Sequence, residues 1–295
     1  MSSCLQAAHY ADHALRCQVA IEDNQRVARD TYRLRVRCRE IAERAVPGQF
    51  VMLRLSACDD PLIGRALAIY DILPTSSGST DGLDLVYHIK GKFTRRLARQ
   101  QPGQMLDVWG PLGNGFPVLP CYHLVMVAGG VGQTPFLTLA KEHLGHCRYG
   151  HPFRYVPRVA QVTLCYGAQS RDLLAGVKDF QAQGVTVKLA TDDGSAGHHG
   201  LVTELLEQVL AEESTRPAGD AVQVVCCGPE PMMQAVSKVS LAHNVPCLVS
   251  LETPMACGIG ICFSCVTKVL QEDGTWDYKR TCVEGPVFDA KRIVW

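Results

Sequence analysis

Apolar and polar residues alternate along CQVAIEDNQRVARDTYRLRVRCR (17–39), around Tyr32, Leu34, Val36 and Cys38. Successive side chains point to opposite faces of a strand, so this period of two predicts one. PGQF (47–50) turns the chain into VMLRL, and LVYHIK (85–90) and MLDVWG (105–110) repeat the rule. FTRRLARQ, between those two, predicts one short helix, and PTSSGSTDG (74–82) has the composition of a hairpin loop. Strands thus dominate up to residue 115. An antiparallel barrel is the economical arrangement, because closure removes exposed edges.

The period changes at residue 121. HLVMVAGG is an unbroken apolar run stopped by glycines, which suits a parallel strand buried on both faces. QVTLCYGA (161–168), VTVKLATDD (185–193), AVQVVCCG (221–228) and CLVSLE (247–252) read the same way. Helical spacing fills the gaps in PFLTLAKEHL, SRDLLAGVKDFQAQG, LVTELLEQVLAEES (201–214) and PMMQAVSKVSLAHN. Alternation of this kind predicts a mostly parallel sheet with helices on both faces. GHCRYGHPFRYVPR (145–158) fits neither pattern and reads as an extended loop. Three glycine-bearing turns, AGGVGQTP (128–135), YGAQS (166–170) and CCGPEPM (226–232), fall at the carboxyl ends of the strands, where such sheets bind ligands. None is the GxGxxG fingerprint, so each alone also suits a structural turn.

Composition narrows the classes. The 295 residues suffice for two ordinary domains and a small third. Lys plus Arg balance Asp plus Glu at 29 each, so bulk charge points to neither nucleic acid nor an anionic membrane. MSSCLQAAHYADHALRC has no long apolar core and does not read as a signal peptide. No apolar run reaches the roughly 18 residues of a membrane span. The expected compartment is the cytoplasm. Fourteen cysteines are many for such a protein, but Cys165, Cys226, Cys247 and most others sit in apolar context and read as buried free thiols.

The exception is MACGIGICFSC (255–265). Cys257, Cys262 and Cys265 have x4 and x2 spacing, and Cys282 follows after sixteen intervening residues. Zinc sites favour paired CxxC knuckles, whereas x4 then x2 is the plant-type [2Fe–2S] arrangement. Gly258 and Gly260 would let the backbone approach a cluster, and Ala256, Ile259, Ile261 and Phe263 would keep water away. Structural zinc and unliganded thiols are the other two readings. A one-electron cluster beside a nicotinamide site implies a flavin between them, since a flavin accepts a hydride and releases single electrons.

These motifs resemble the electron transfer subunit family of the NAD-dependent, class 1B dihydroorotate dehydrogenases, within the ferredoxin–NADP reductase superfamily. The resemblance is carried by GRALAIYD (64–71), YHIKGKFTRRL (87–97), VWGPLGNGF (108–116), AGGVGQTP, CCGPEPM, LETPMACGIGICFSC and CVEGPVF (282–288). It implies an N-terminal extension (1–16), an FAD-binding Greek-key β-barrel (17–118), an NAD-binding α/β domain (119–246) and a [2Fe–2S] segment (247–295). In the family an Arg-Pro-x-Ser motif meets the FAD pyrophosphate with its arginine. Arg65 matches it, Ala66 and Ala68 replace the proline and serine, and Leu67 lies between them. The family's Gly-Lys-Gly-Thr becomes Gly91, Lys92, Phe93 and Thr94, with Phe93 crowding the turn and Thr94 free to meet a phosphate. Val86, Tyr87 and His88 fall where the family's strand lines the flavin, although plain strand packing explains Tyr87 equally well. Gly129, Gly130 and Gly132 match the turn that accommodates NAD, and Cys227, Gly228 and Pro229 the turn near the nicotinamide. Asp192 and Asp193 read as solvated turn residues, one of which could meet a ribose hydroxyl. Cys257, Cys262, Cys265 and Cys282 match the cluster ligands. No residue is expected to act as a catalytic acid or base. The implied partner is an FMN-containing dihydroorotate dehydrogenase catalytic subunit, in a heterotetramer of two subunits of each kind serving de novo pyrimidine biosynthesis. The alternatives are the small subunit of a related NAD(P)H:ferredoxin or sulfide dehydrogenase-type oxidoreductase, and a degenerate structural subunit without flavin.

Overall fold

The computed structural model describes residues 11–56, 59–74, 80–118, 120–214 and 221–295. The first half contains β1 (Leu15–Ala28), β2 (Thr31–Arg37), α1 (Arg39–Ala42), β3 (Phe50–Leu55), β4 (Arg65–Pro74), β5 (Thr80–His88), α2 (Lys92–Leu97) and β6 (Met105–Leu112). The strands close into an antiparallel barrel in the order β1-β2-β5-β4-β3-β6, with β6 paired back onto β1. Inward residues such as Leu34, Val36, Leu53, Leu83, Leu85 and Val108 fill it, and Phe93 and Leu97 of α2 join the same core. The stretch 17–39, expected as one strand, is two. The chain reverses at Arg29–Asp30, where Asp30 takes a φ of 51°, a conformation aspartate tolerates better than most residues. Most of the expected hairpin loop 74–82 lies outside the described residues, and its flanks belong to β4 and β5.

The second half contains β7 (His123–Gly129), α3 (Phe136–His143), β8 (Gln161–Ala168), α4 (Val177–Ala182), β9 (Thr186–Thr191), β10 (His198–His199), α5 (Val202–Glu213), β11 (Val222–Cys227), α6 (Glu230–Ala242) and β12 (Cys247–Ser250). A hairpin of β13 (Val266–Leu270) and β14 (Trp276–Arg280) follows, then β15 (Val287–Asp289). The sheet order is β10-β9-β8-β7-β11-β12-β15, parallel except for the last pair. Alternate residues of the central strands serve opposite faces. Leu124, Met126 and Leu164 pack with Phe136, Leu139 and Phe180 of α3 and α4. Val125, Val127 and Val224 pack with Leu206, Val209 and Val236 of α5 and α6. The helix expected over 170–184 is cut to α4, because Gly176 sits at φ 75° where a Cβ would lie 2.4 Å from the Tyr70 hydroxyl. That hydroxyl donates to Asp179 at 2.7 Å, so the barrel presses directly on the helix start.

The loop 145–158 is a fastener between the halves. Arg154 donates to both carboxylate oxygens of Glu142 at 2.8 and 2.6 Å and to the Phe116 carbonyl at 2.6 Å. Lys141 of α3 reaches Asp71 of β4 at 2.6 Å, with both side chains largely buried. Breaking one partner of such a pair costs about 3–5 kcal/mol, because the other charge is left buried. No described helix is long and apolar enough to cross a membrane.

Candidate functional site

Chain order in the parallel sheet reverses between β7 and β11, the place where such sheets open a ligand crevice. Gly129, Gly130 and Gly132 leave β7 there, and Cys227, Gly228 and Pro229 leave β11 beside them. The two turns touch: a Cβ on Gly132 would lie 2.2 Å from the Cys227 carbonyl oxygen and 2.8 Å from Gly228 Cα. Gly130, at φ 57°, faces open space instead. Gln133 in the same turn is fully buried, and neither amide atom has a protein partner. A glycine-walled turn with an orphaned amide fits a dinucleotide. Burial, reinforced by the Glu252 carboxylate, holds the Cys227 thiol well above its ordinary value, so it stays protonated and is no nucleophile. Asp193 is occupied in its own turn, accepting from the Ser195 amide at 2.9 Å and the Ser195 hydroxyl at 2.5 Å.

At the barrel end, Arg65 heads β4 with its side chain exposed. Its guanidinium donates to the carbonyls of Ile63 and Gly64 at 3.2 and 2.9 Å. α2 starts nearby, since Lys92 and Arg96 both pair with Asp60 of the loop that leads into β4. Gly91 has open space where a Cβ would stand. An exposed arginine fork at the head of β4 suits a diphosphate. Ala66, Leu67 and Ala68 pair with Met52, Val51 and Phe50 of β3. Phe93 does not crowd the turn, because its ring is buried in the barrel core. The Thr94 hydroxyl is already engaged, accepting from the amides of Lys90 and Gly91 at 3.0 and 3.2 Å. Tyr87 is a core residue that donates to Asn24 at 3.0 Å and stacks on Tyr32. Val86 joins the apolar layer between barrel and sheet, and His88 bonds Thr31 at 3.2 Å.

The cysteine loop leaves β12 and packs on the barrel wall. Trp109 of β6 donates its indole N–H to the Cys257 carbonyl at 2.9 Å. Gly258, at φ 74°, comes so close to β3 that a Cβ would meet Met52 at 2.6 Å. Arg280 holds the other side by donating to the Gly260 carbonyl at 2.9 Å and covering the Phe263 ring. Thr281 donates its amide and hydroxyl to the Cys265 carbonyl at 2.9 and 3.0 Å, bringing Cys265 against Cys282. Their sulfurs are 3.2 Å apart. Hydrogen bonding, first from Ser264, pulls the Cys262 thiol down to about 6. Among the described residues, no three of these four sulfurs lie within 4.8 Å of one another. One close pair with two further cysteines on the loop beside it suits two bridged irons, each taking two thiolates. Cys265 and Cys282 are buried, whereas Cys262 is exposed.

Two residues of the site carry no signal that a local reading could find. Trp109 contacts a carbonyl 148 positions away. Asn114, inside GPLGNGF, mimics a strand partner: its side chain accepts from the Val287 amide at 3.1 Å and donates to the Val287 carbonyl at 2.8 Å.

Comparison with known proteins agrees with each part of this layout. Residues 18–116 match the profile described as oxidoreductase FAD-binding domain, and residues 126–238 that described as oxidoreductase NAD-binding domain. Residues 252–294 match the iron-sulfur cluster binding domain of dihydroorotate dehydrogenase B. The dihydroorotate dehydrogenase B (NAD(+)) electron transfer subunit of Desulforamulus reducens is 35% identical over 91% of this chain and 94% of its own length. Its counterpart from Bacillus caldolyticus is 34% identical over 95% and 98%. The chain belongs to the dihydroorotate dehydrogenase B electron transfer subunit family. It is thus an oxidoreductase subunit with flavin-binding, NAD-binding and iron–sulfur-binding domains. Among solved structures, one reported for the NADH-dependent reduced ferredoxin-NADP oxidoreductase, a system of flavin-based electron bifurcation, superposes with a TM-score of 0.74 at 26% identity, covering 94% of this chain and 90% of that one. Phthalate dioxygenase reductase shares the fold over 95% and 96%, with a TM-score of 0.58 at 16% identity.

Proposed function

We propose that this chain passes electrons from a dihydroorotate-oxidising, FMN-containing catalytic subunit to NAD+, in de novo pyrimidine biosynthesis in the cytoplasm. FAD and a [2Fe–2S] cluster are its resident carriers and NAD its exchangeable cosubstrate. The observation that carries this reading is the cysteine loop seated on the barrel wall beside β4, with Cys265 against Cys282 and Cys257 held by Trp109. When bound, the flavin exchanges a hydride with the nicotinamide and single electrons with the cluster.

The chain's own residues position and insulate. Arg65 would hold the flavin diphosphate, and residues 66–68 and 86–88 would contribute to the flavin site. Gly130 and Gly132 let the dinucleotide approach the sheet, while Cys227 presents a small neutral side chain beside the nicotinamide. Cys257, Cys262, Cys265 and Cys282 hold the cluster, and Trp109, Met52 and Leu112 keep water from its inner side. The outer side opens into a cleft of about 740 Å³ lined by Leu62, Ile63, Trp109, Cys257 and Ile261. Leu62, Ile63 and Ile261 are at least half exposed there. Such an apolar patch is a docking surface, and it serves the catalytic subunit in a heterotetramer of two subunits of each kind.

Coexpression with a dihydroorotate dehydrogenase catalytic subunit should give a stable complex that reduces NAD+ with dihydroorotate. A chain that carries flavin and iron and oxidises NADH, yet never couples to dihydroorotate, would refute the proposed partner. The 0.74 superposition supports a second reading for that case, the small subunit of a ferredoxin-linked reductase. It predicts coupling to reduced ferredoxin instead.

A further inference from the structure

One convergence of metal-ligating side chains lies outside the electron path. The sulfurs of Cys17 and Cys38 and a carboxylate oxygen of Glu40 all lie within 4.8 Å of one another. They come from three elements that barrel closure brings together. Cys17 stands on β1 opposite Val108 of β6. Cys38 follows β2, its amide bonded to the Asp81 carbonyl at 2.9 Å. Glu40 lies in the first turn of α1. Cys17 and Cys38 both pack against the barrel core, across the wall from the cysteine loop that Trp109 holds outside.

Glu40 is left outside the ion pairs that surround it. Arg37 is taken by Glu22 and Asp81, and Arg39 by Glu43. Among the described residues Glu40 has no ion pair or side-chain hydrogen bond, although both neighbouring arginines are within reach in sequence. Two thiols and a carboxylate thus converge on one point. Buried cysteines acting as small hydrophobes do not require a carboxylate at the same point.

We propose that Cys17, Cys38 and Glu40 form a zinc site that fastens β1 to the β2–α1 corner of the barrel. Two sulfur donors select a soft or borderline ion over magnesium or calcium. Three protein ligands complete a tetrahedron with one water. Cys38 is 3% exposed and Cys17 half-buried, whereas Glu40 is exposed, so the ion reaches the sulfurs from the Glu40 side. Zinc has no redox chemistry, so the site clamps the barrel without joining the electron path.

The test uses the flavin- and iron-loaded protein, dialysed against buffered zinc, with zinc and iron counted together by mass spectrometry. About one zinc per chain is expected at unchanged iron content. Cys17→Ala should abolish the uptake. Glu40→Gln, an exposed change that leaves the core intact, should weaken it at least about tenfold, since even second-shell partners of a metal are worth 10–100-fold. Iron and flavin content should be unchanged in both variants. Absence of zinc, zinc gained only as iron is lost, or uptake undiminished in both variants would each overturn the proposal.

Discussion

The glycine turns at the sheet crevice and the cysteine loop on the barrel wall solve opposite problems. The crevice is set by backbone: Gly132 and the Cys227 carbonyl are in contact, and no side chain could stand between them. The cysteine loop is set by side chains, with Trp109, Arg280 and Thr281 fixing its carbonyls and its sulfurs left to face a ligand. A backbone site tolerates exchange of the dinucleotide, because its shape persists without it. A side-chain site must keep its group, because metal binding is what keeps the cysteines deprotonated and the loop in shape. That difference separates a cosubstrate from a resident cofactor.

Substitutions can break this contrast. The largest effect is expected for Cys262→Ser, which should remove iron and acid-labile sulfide while flavin binding persists; full iron retention would sink the ligand assignment. Gly132→Ala comes next, because a Cβ 2.2 Å from a carbonyl oxygen forces the two turns apart. Denaturant unfolding should show a loss of roughly 3 kcal/mol, the upper end for overpacking, with the Michaelis constant for NADH raised and iron content intact. Arg65→Ala should weaken FAD by about 2 kcal/mol, the worth of a charge-assisted hydrogen bond, and leave NAD affinity unchanged. A flavin titration with wild-type affinity would remove Arg65 from the diphosphate site. The smallest change, Trp109→Phe, deletes one hydrogen bond to the Cys257 carbonyl, worth about 1 kcal/mol. It should speed iron release to a chelator several-fold without altering flavin content.

Much of this was legible in the chain, for physical reasons. Buried parallel strands are apolar on both faces, so β7, β8 and β11 announced themselves as unbroken runs, and the glycines that stop them marked the crevice. The x4–x2 cysteine spacing exposed the cluster-type loop for the same reason, since its ligands are nearly contiguous. Features set by distant contacts were not legible. The Asp30 reversal has no glycine or proline, so β1 and β2 looked like one strand. Phe93 looked intrusive in the phosphate turn, because nothing local reveals that its ring enters the barrel. The β13–β14 hairpin did leave a local signal, Gly274 at φ 81° between two short alternating runs, but the neighbouring cysteines dominated that part of the chain. Asn114 is conspicuous only once Val287, 173 positions later, lies beside it.

The pairing of β12 with β15 has an architectural consequence. Ser250 and Val287 are register partners, and the Leu251 amide bonds the Pro286 carbonyl at 2.9 Å. The whole stretch 251–286 therefore departs from the sheet and returns to the adjacent position, as an inserted cassette does. A short hairpin turn could span the same gap. The flavin and nicotinamide halves would then form a self-contained reductase, and the cassette is what adapts it to a one-electron customer.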